Sequence, residues 1–165
     1  MKSSLLLNFS VDKENKQILV NREFDAGIEL VWSAWTESEL LDKWWAPKPW
    51  KVTTKKMDFR VGGFWLYAMM GPDGEENYSR SDFSSIRSLE NFSSNVAFCD
   101  SEGNVEESAP RSKWYVDFTS NGERTIVRVL LTFDELNDLE MMVNMGFREG
   151  FLSAFENLDE IFENN

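Results

Sequence analysis

The segment 136–163 does most to limit what this chain can fold into. Phe147, Phe151, Ala154, Phe155, Leu158, Ile161 and Phe162 fall on one side of a 3.6-residue wheel, with Glu149, Glu156, Glu160 and Glu163 opposite. Read as one long helix, it carries an aromatic stripe that has to lie against a broad apolar surface, while its acidic face stays in water. The carboxylate row could serve as a docking surface, but a solvated helix face is the commoner use of such a row and is the reading taken.

The surface it needs is supplied upstream. "LLLNFSV" and "QILVNREF" are β-like runs joined by the polar turn "DKENK". Between 51 and 133 come "WKVTTKKMDF", "GGFWLYAMM", "NYSRSDFSSIRSLE", "SSNVAFCD", "RSKWYVDFT" and "RTIVRVLLTF". "GPDG" at 71–74 and "SNGE", with Asn-Gly at its centre, mark turns between them. Six to seven strands with short polar turns imply one antiparallel meander, and strands segregated from helices imply an α+β fold.

Between the β-like runs sits a concentration of indoles. Trp32, Trp35, Trp44, Trp45 and Trp50 are five of the 7 tryptophans. Ile28, Val31, Trp32 and Trp35 recur at helical spacing over roughly 27–35. Thr36 followed by Glu39 has the form of a capping box, so a second short helix carrying Leu40, Leu41 and Trp44 is expected there, stopped by Pro47 and Pro49. At about 1.5–3 kcal/mol for full burial of a large apolar side chain, Trp32 is accounted for by packing alone.

Composition removes whole classes of chemistry. The chain has 0 histidines, which excludes a Ser-His-Asp triad, a His-activated cysteine and any His-ligated metal. Acid–base work would fall to Asp, Glu, Tyr or Lys. The net charge of −12 argues against nucleic acid and anionic membranes as partners. No stretch approaches a membrane span, and three leucines before Asn8 are too few for a signal-peptide core. The lone Cys99 cannot form an internal disulfide, fits a reducing cytoplasm, and reads as a small buried hydrophobe. The acid-rich loop 101–107 lacks calcium-loop spacing. No metal or cofactor is expected.

The run "REFDAGIELVWSAWTESELLDKWWAPKPW" (22–50) resembles proteins similar to the C-terminal domain of the Hsp90 ATPase activator, in the START-like or helix-grip superfamily. The matching residues are Arg22, Phe24 and Ala26; Val31 and Trp32; Trp35 and Thr36; and Trp44, Trp45 and Pro47. "DFRVGGFWLYAMMGPDG" (58–74) resembles the family's Asp-x-Arg-x-Gly-Gly strand, and "GFLSAFENL" (150–158) its closing helix, with Phe151 and Phe155 in place of Trp and Leu. The chain departs at Gly27, where the family has proline, and is divergent over 77–110. The resemblance implies one domain over 1–165, with 1–15 as an N-terminal strand and turn extension. It also implies a curved sheet around a long C-terminal helix, with two short helices between the first two strands. Function is less constrained, since one fold hosts many.

Strand alternation chooses the enclosed face. In "GFWLYAMM" both faces are apolar; the family pattern favours Trp65, Tyr67 and Met69 inward. Phe64, Leu66, Ala68 and Met70 are then left to form a dimer contact or to sit under the N-terminal segment. Lys113, Tyr115 and Asp117 outward leave Trp114, Val116 and Phe118 inside; Arg128 outward leaves Val127, Val129, Leu131 and Phe133 inside. The expected wall of a cavity is therefore Trp35, Trp44, Trp65, Tyr67, Met69, Trp114, Val116, Phe118, Phe147, Phe151 and Phe155. Arg60, Tyr67, Tyr78 and Asp82 are polar candidates for orienting a ligand, and Arg60 could equally support a bulge at Gly62-Gly63. The space is either filled by its own side chains or open, and if open three uses of such a wall stand: holding a flat hydrophobic small molecule, contacting an Hsp90-type chaperone, or confining a substrate for cyclase or hydratase chemistry at Tyr67 or Asp82. Homodimerisation through an exposed strand is also open.

Overall fold

The computed structural model describes residues 5–164. Leu7–Asp12 (β1) and Gln17–Phe24 (β2) form a hairpin. Ile28–Thr36 (α1) and Ser38–Trp44 (α2) follow. Six strands come next: Lys51–Met57 (β3), Phe64–Met70 (β4), Glu76–Arg87 (β5), Asn91–Cys99 (β6), Arg111–Asn121 (β7) and Arg124–Thr132 (β8). Leu136–Asn144 (α3) and Phe147–Glu163 (α4) complete the chain.

The sheet is antiparallel throughout, ordered β1-β2-β8-β7-β6-β5-β4-β3. β2 lies one place in from one edge and β3 forms the other edge. The connection between them has to cross the sheet, and it is the connection that carries α1 and α2. The two small helices and α4 therefore share one face of the sheet, which is the helix-grip arrangement. Eight strands exceed the six or seven expected because the N-terminal run pairs fully with β2. The small helices consequently lie between the second and third strands.

The shared face is apolar by alternation, with Arg22 as the exception on β2. Ile18, Val20 and Phe24 of β2, Trp114, Val116 and Phe118 of β7, and Val127, Val129 and Leu131 of β8 are buried beneath the helices. α4 answers with Phe151, Ala154, Phe155, Leu158 and Phe162. Phe24 meets Phe155 and Phe162 edge-on at 5.5 and 5.8 Å. Arg22 occupies the same face of β2, stacks over Phe24 at 4.8 Å and grips Asp159 of α4 with both terminal nitrogens. The Arg-x-Phe spacing thus ties strand to helix. Asn157, also buried on α4, donates to the Ala46 carbonyl at 2.9 Å, satisfying backbone just beyond the end of α2.

Four local expectations change. The C-terminal helix is interrupted: Gly146 takes φ 85°, a left-handed conformation that ends one helix and turns the chain into the next. Thr36 does not cap α2; its hydroxyl donates back to the Trp32 carbonyl at 2.8 Å, and Glu37 holds the N-cap position without a side-chain bond. In "SNGE" Asn121 pairs with Arg124, which leaves Gly122-Glu123 as the two central residues. Gly62-Gly63 closes a tight turn, and a Cβ at Gly63 would lie 2.1 Å from the Asp58 carbonyl oxygen. The register shifts that mark bulges fall instead at Thr54/Lys56 and at Phe83/Ser85.

Candidate functional site

A half-open cleft of about 760 Å³ lies between one end of the sheet and the α3–α4 elbow. Its floor is the inner side of β4 to β7, and its roof is Met141, Met142, Met145, Gly146, Phe147, Gly150 and Phe151. Trp45 and Pro47, just after α2, close one side. A second hollow of only about 30 Å³, room for a single water molecule, lies deeper and shares Trp45, Val96 and Trp114 with the cleft. Trp45 is the partition. Its ring packs at 5.5 Å from Trp65, 5.7 Å from Trp114 and 5.9 Å from Phe151.

Of the expected wall, Tyr67, Met69, Trp114, Phe147 and Phe151 border the cleft. Trp35, Trp65 and Val116 border only the small hollow, although Trp114 touches both. Trp44, Phe118 and Phe155 border neither; they are packed solid. Trp44 is wholly buried and donates from Nε1 to the Ala34 carbonyl at 2.8 Å, which pins α2 on α1. Phe118 packs edge-on against Trp32 at 5.0 Å, and Phe155 lies 4.5 Å from Phe151. The indole cluster therefore divides. Trp32, Trp35 and Trp44 build the interior, and Trp45 alone of the four turns toward the open space.

The polar groups of the cleft are few. Trp45 Nε1 donates to the Tyr67 hydroxyl at 3.0 Å, and Ser79 hydrogen-bonds the same phenol. Burial pushes the Tyr67 phenol above its ordinary value, with the bonds from Trp45 and Ser79 pulling the other way. It is accordingly a neutral hydrogen-bonding group at any physiological pH. Trp114 Nε1 donates to Ser112 at 2.9 Å. Trp35 Nε1 is buried without a protein acceptor and belongs to the rim of the small hollow, beside Ser81 and Ser94. The buried serines of β5 and β6 come from the divergent stretch 77–110, to which the family resemblance carries no residue roles. The signal was present: in "SRSDF", Arg80 and Asp82 outward force Ser79, Ser81 and Phe83 inward.

The remaining polar candidates sit elsewhere. Asp82 forms a two-toothed pair with Arg80 at 2.7 and 2.9 Å on the opposite side of the sheet, where Arg80 also stacks over Phe64 at 4.4 Å. Arg60 is largely exposed and bonded to Asp58 at 2.8 Å. Tyr78 lies at the rim, its hydroxyl donating to Glu76 at 3.2 Å. That opposite side also answers what covers Leu66 and Ala68, which are buried there. The β6–β7 loop folds across it: the Gly103 carbonyl accepts from Arg80 at 2.9 Å, the Ser101 carbonyl accepts from Lys55, and Gly103 comes up against Leu66. Neither a partner chain nor the N-terminal segment is needed. Cys99, paired with Tyr78, is buried and also borders the cleft, and burial raises its thiol above the usual value.

Among the described residues, no cluster of carboxylates and cysteine could hold a metal, and no helix is long and apolar enough to cross a membrane.

A family model described as "Activator of Hsp90 ATPase homolog 1-like protein" matches residues 25–163. No curated protein matches the sequence. Among solved structures, a protein of Arthrobacter aurescens is 27% identical, with a TM-score of 0.89 over 96% of this chain and 92% of its own. Protein Ms6760 of Mycobacterium smegmatis is 25% identical, with a TM-score of 0.87 over 95% and 96%. An AHSA1 protein of Silicibacter pomeroyi is 19% identical, with a TM-score of 0.69 over 89% and 97%, a likeness of fold.

Proposed function

Because the chain belongs to the family of activator of Hsp90 ATPase homolog 1-like proteins, START-like in fold, we propose that it acts through the cleft, as a binding protein for a flat, mainly apolar small molecule. The observation that carries this reading is the cleft itself. About 760 Å³ falls inside the ~300–1,000 Å³ typical of ligand pockets. Its walls are largely aromatic rings and thioethers, and Tyr67 offers one neutral polar contact. Methionine suits a site that accommodates more than one outline, since its unbranched chain repacks easily.

Binding without chemistry is favoured by how the polar groups are arranged. Tyr67 is the phenol nearest to serving as an acid, yet its hydrogen-bond partners are an indole and a serine, neither of which relays protons at neutral pH. Asp82, the other candidate, is held away by Arg80. A chaperone-contacting role is the second reading, favoured by the family description alone.

Tryptophan fluorescence tests the first reading, since Trp45 and Trp114 both face the cleft. Titration with 2-naphthylmethanol is expected to quench saturably at one molecule per chain. Met69→Trp, which fills the floor from β4, is expected to abolish that quenching. Linear, unsaturable quenching in the parent would end the binding reading. Stimulated ATP turnover by an Hsp90-type chaperone on adding the protein would instead support the second.

A further inference from the structure

The charge of the cleft has a direction. Among the described residues no lysine or arginine borders it, whereas Glu76, Asp100 and Glu106 do, all at the mouth. These carboxylates are exposed. Among the described residues Glu76 takes only the Tyr78 hydroxyl. Asp100 is held below its usual pKa by hydrogen bonds from the backbone and side chain of Asn104, so it stays ionised. Glu106 is fixed in place by its own N–H, which bonds the Phe98 carbonyl at 2.9 Å beside the Cys99–Val105 bridge. Among the described residues no cation pairs with Glu106, and the nearby Arg111 is engaged by Glu107.

Behind this rim the walls are aromatic. The rings of Trp45, Trp114, Phe147 and Phe151 border the cleft, and an aromatic face turned to a poorly solvated space attracts a cation through its negative π density. Rim and wall therefore act in one sense. An apolar anion such as a fatty acid would bring its carboxylate to carboxylates, with no guanidinium or ammonium among the described lining residues to receive it. Resting on the binding reading above, we infer that the cleft selects apolar cations: an aryl or alkyl ammonium whose hydrocarbon part enters between Trp114 and the α3–α4 elbow while its charge stays by Glu106.

Three probes of matched shape test this by calorimetry: 2-naphthylmethylammonium, 2-naphthylmethanol and 2-naphthoate. The ammonium is expected to bind on the order of tenfold more tightly than the naphthoate, with the alcohol between. Raising salt from about 20 mM to about 500 mM should shrink that gap, because the rim charges are screened. Glu106→Gln keeps the backbone bond to Phe98 and alters the protein's charge by one in −12. It should nonetheless lower the ammonium affinity several-fold and leave the alcohol unchanged, which a diffuse attraction to an acidic protein would not do. Naphthoate binding as well as the ammonium would overturn the charge selectivity while leaving the binding reading intact. An unchanged ammonium affinity in Glu106→Gln would overturn the role of the rim. If none of the three bound, the binding reading itself would fall.

Discussion

Replacing Trp45 by phenylalanine separates the two things that this side chain does. It is one wall of the cleft, it divides the cleft from the small hollow, and it is the hydrogen-bond donor to Tyr67 at 3.0 Å. Phenylalanine keeps an aromatic ring there but loses the donor and roughly 40 Å³ of volume. At about 24 cal/mol per Å³ of residual cavity, the void costs about 1 kcal/mol. The lost bond costs about another, because Tyr67 keeps Ser79 and is not left bare. The sum, about 2 kcal/mol, corresponds to a fall in melting temperature of about 4–8 °C for a chain of this size. Urea unfolding should show it as a lower midpoint at unchanged slope. The hollow by Trp35, Trp65 and Val116 should then open into the cleft. A longer ring system, such as an anthracene alcohol, should gain affinity in Trp45→Phe relative to the parent while the naphthyl alcohol does not. A cost under about 0.5 kcal/mol together with unaltered ligand-length preference would refute the view of Trp45 as a packed partition.

Three further outcomes follow from the same contacts. Asn157→Ala removes the donor to the buried Ala46 carbonyl and should cost about 1–3 kcal/mol in chemical denaturation; a neutral result would show that α4 does not depend on this staple. Gly63→Ala places a Cβ against the Asp58 carbonyl oxygen, a backbone atom that cannot swing aside, so soluble yield and melting temperature should both drop sharply. Stability should also decline at alkaline pH. Tyr67 and Cys99 both have raised values in the fold, so as pH climbs through their ordinary values of 10.0 and 9.0 the unfolded chain loses protons first. Below about pH 9 their contribution is complete, and it drains away above. Tyr67→Phe should flatten the decline above pH 10, and an identical alkaline slope in that variant would contradict the burial argument.

The fold was legible because its determinants are periodic. The aromatic stripe of α4, the outward Lys113, Asp117 and Arg128, and the helical spacing of Val31, Trp32 and Trp35 each report burial directly. Boundaries were less legible where a single residue decides against its neighbours. Gly146 interrupts a pattern that otherwise continues across it, and Thr36 looks like a cap yet bonds backward to Trp32. The site was half visible for the same reason. Alternation shows which face Tyr67, Met69 and Trp114 take, but it does not say where along that face helices lie and where space remains. Trp44, Phe118 and Phe155 face inward as surely as Tyr67 and are simply covered. The methionines of "EMMVNM" escaped notice because their importance depends on the turn at Gly146, which swings α3 over the end of the sheet.

The most direct test of the cleft as a binding site is the methyl spectrum of the protein labelled at methionine. Met69, Met141, Met142 and Met145 border the cleft, whereas Met57 borders only the inner hollow and Met70 borders neither. Adding 2-naphthylmethanol should shift the four cleft methyls together along one saturation curve and leave Met57 and Met70 in place. Unmoved cleft methyls at probe saturation, or equal shifts at Met70, would contradict the account.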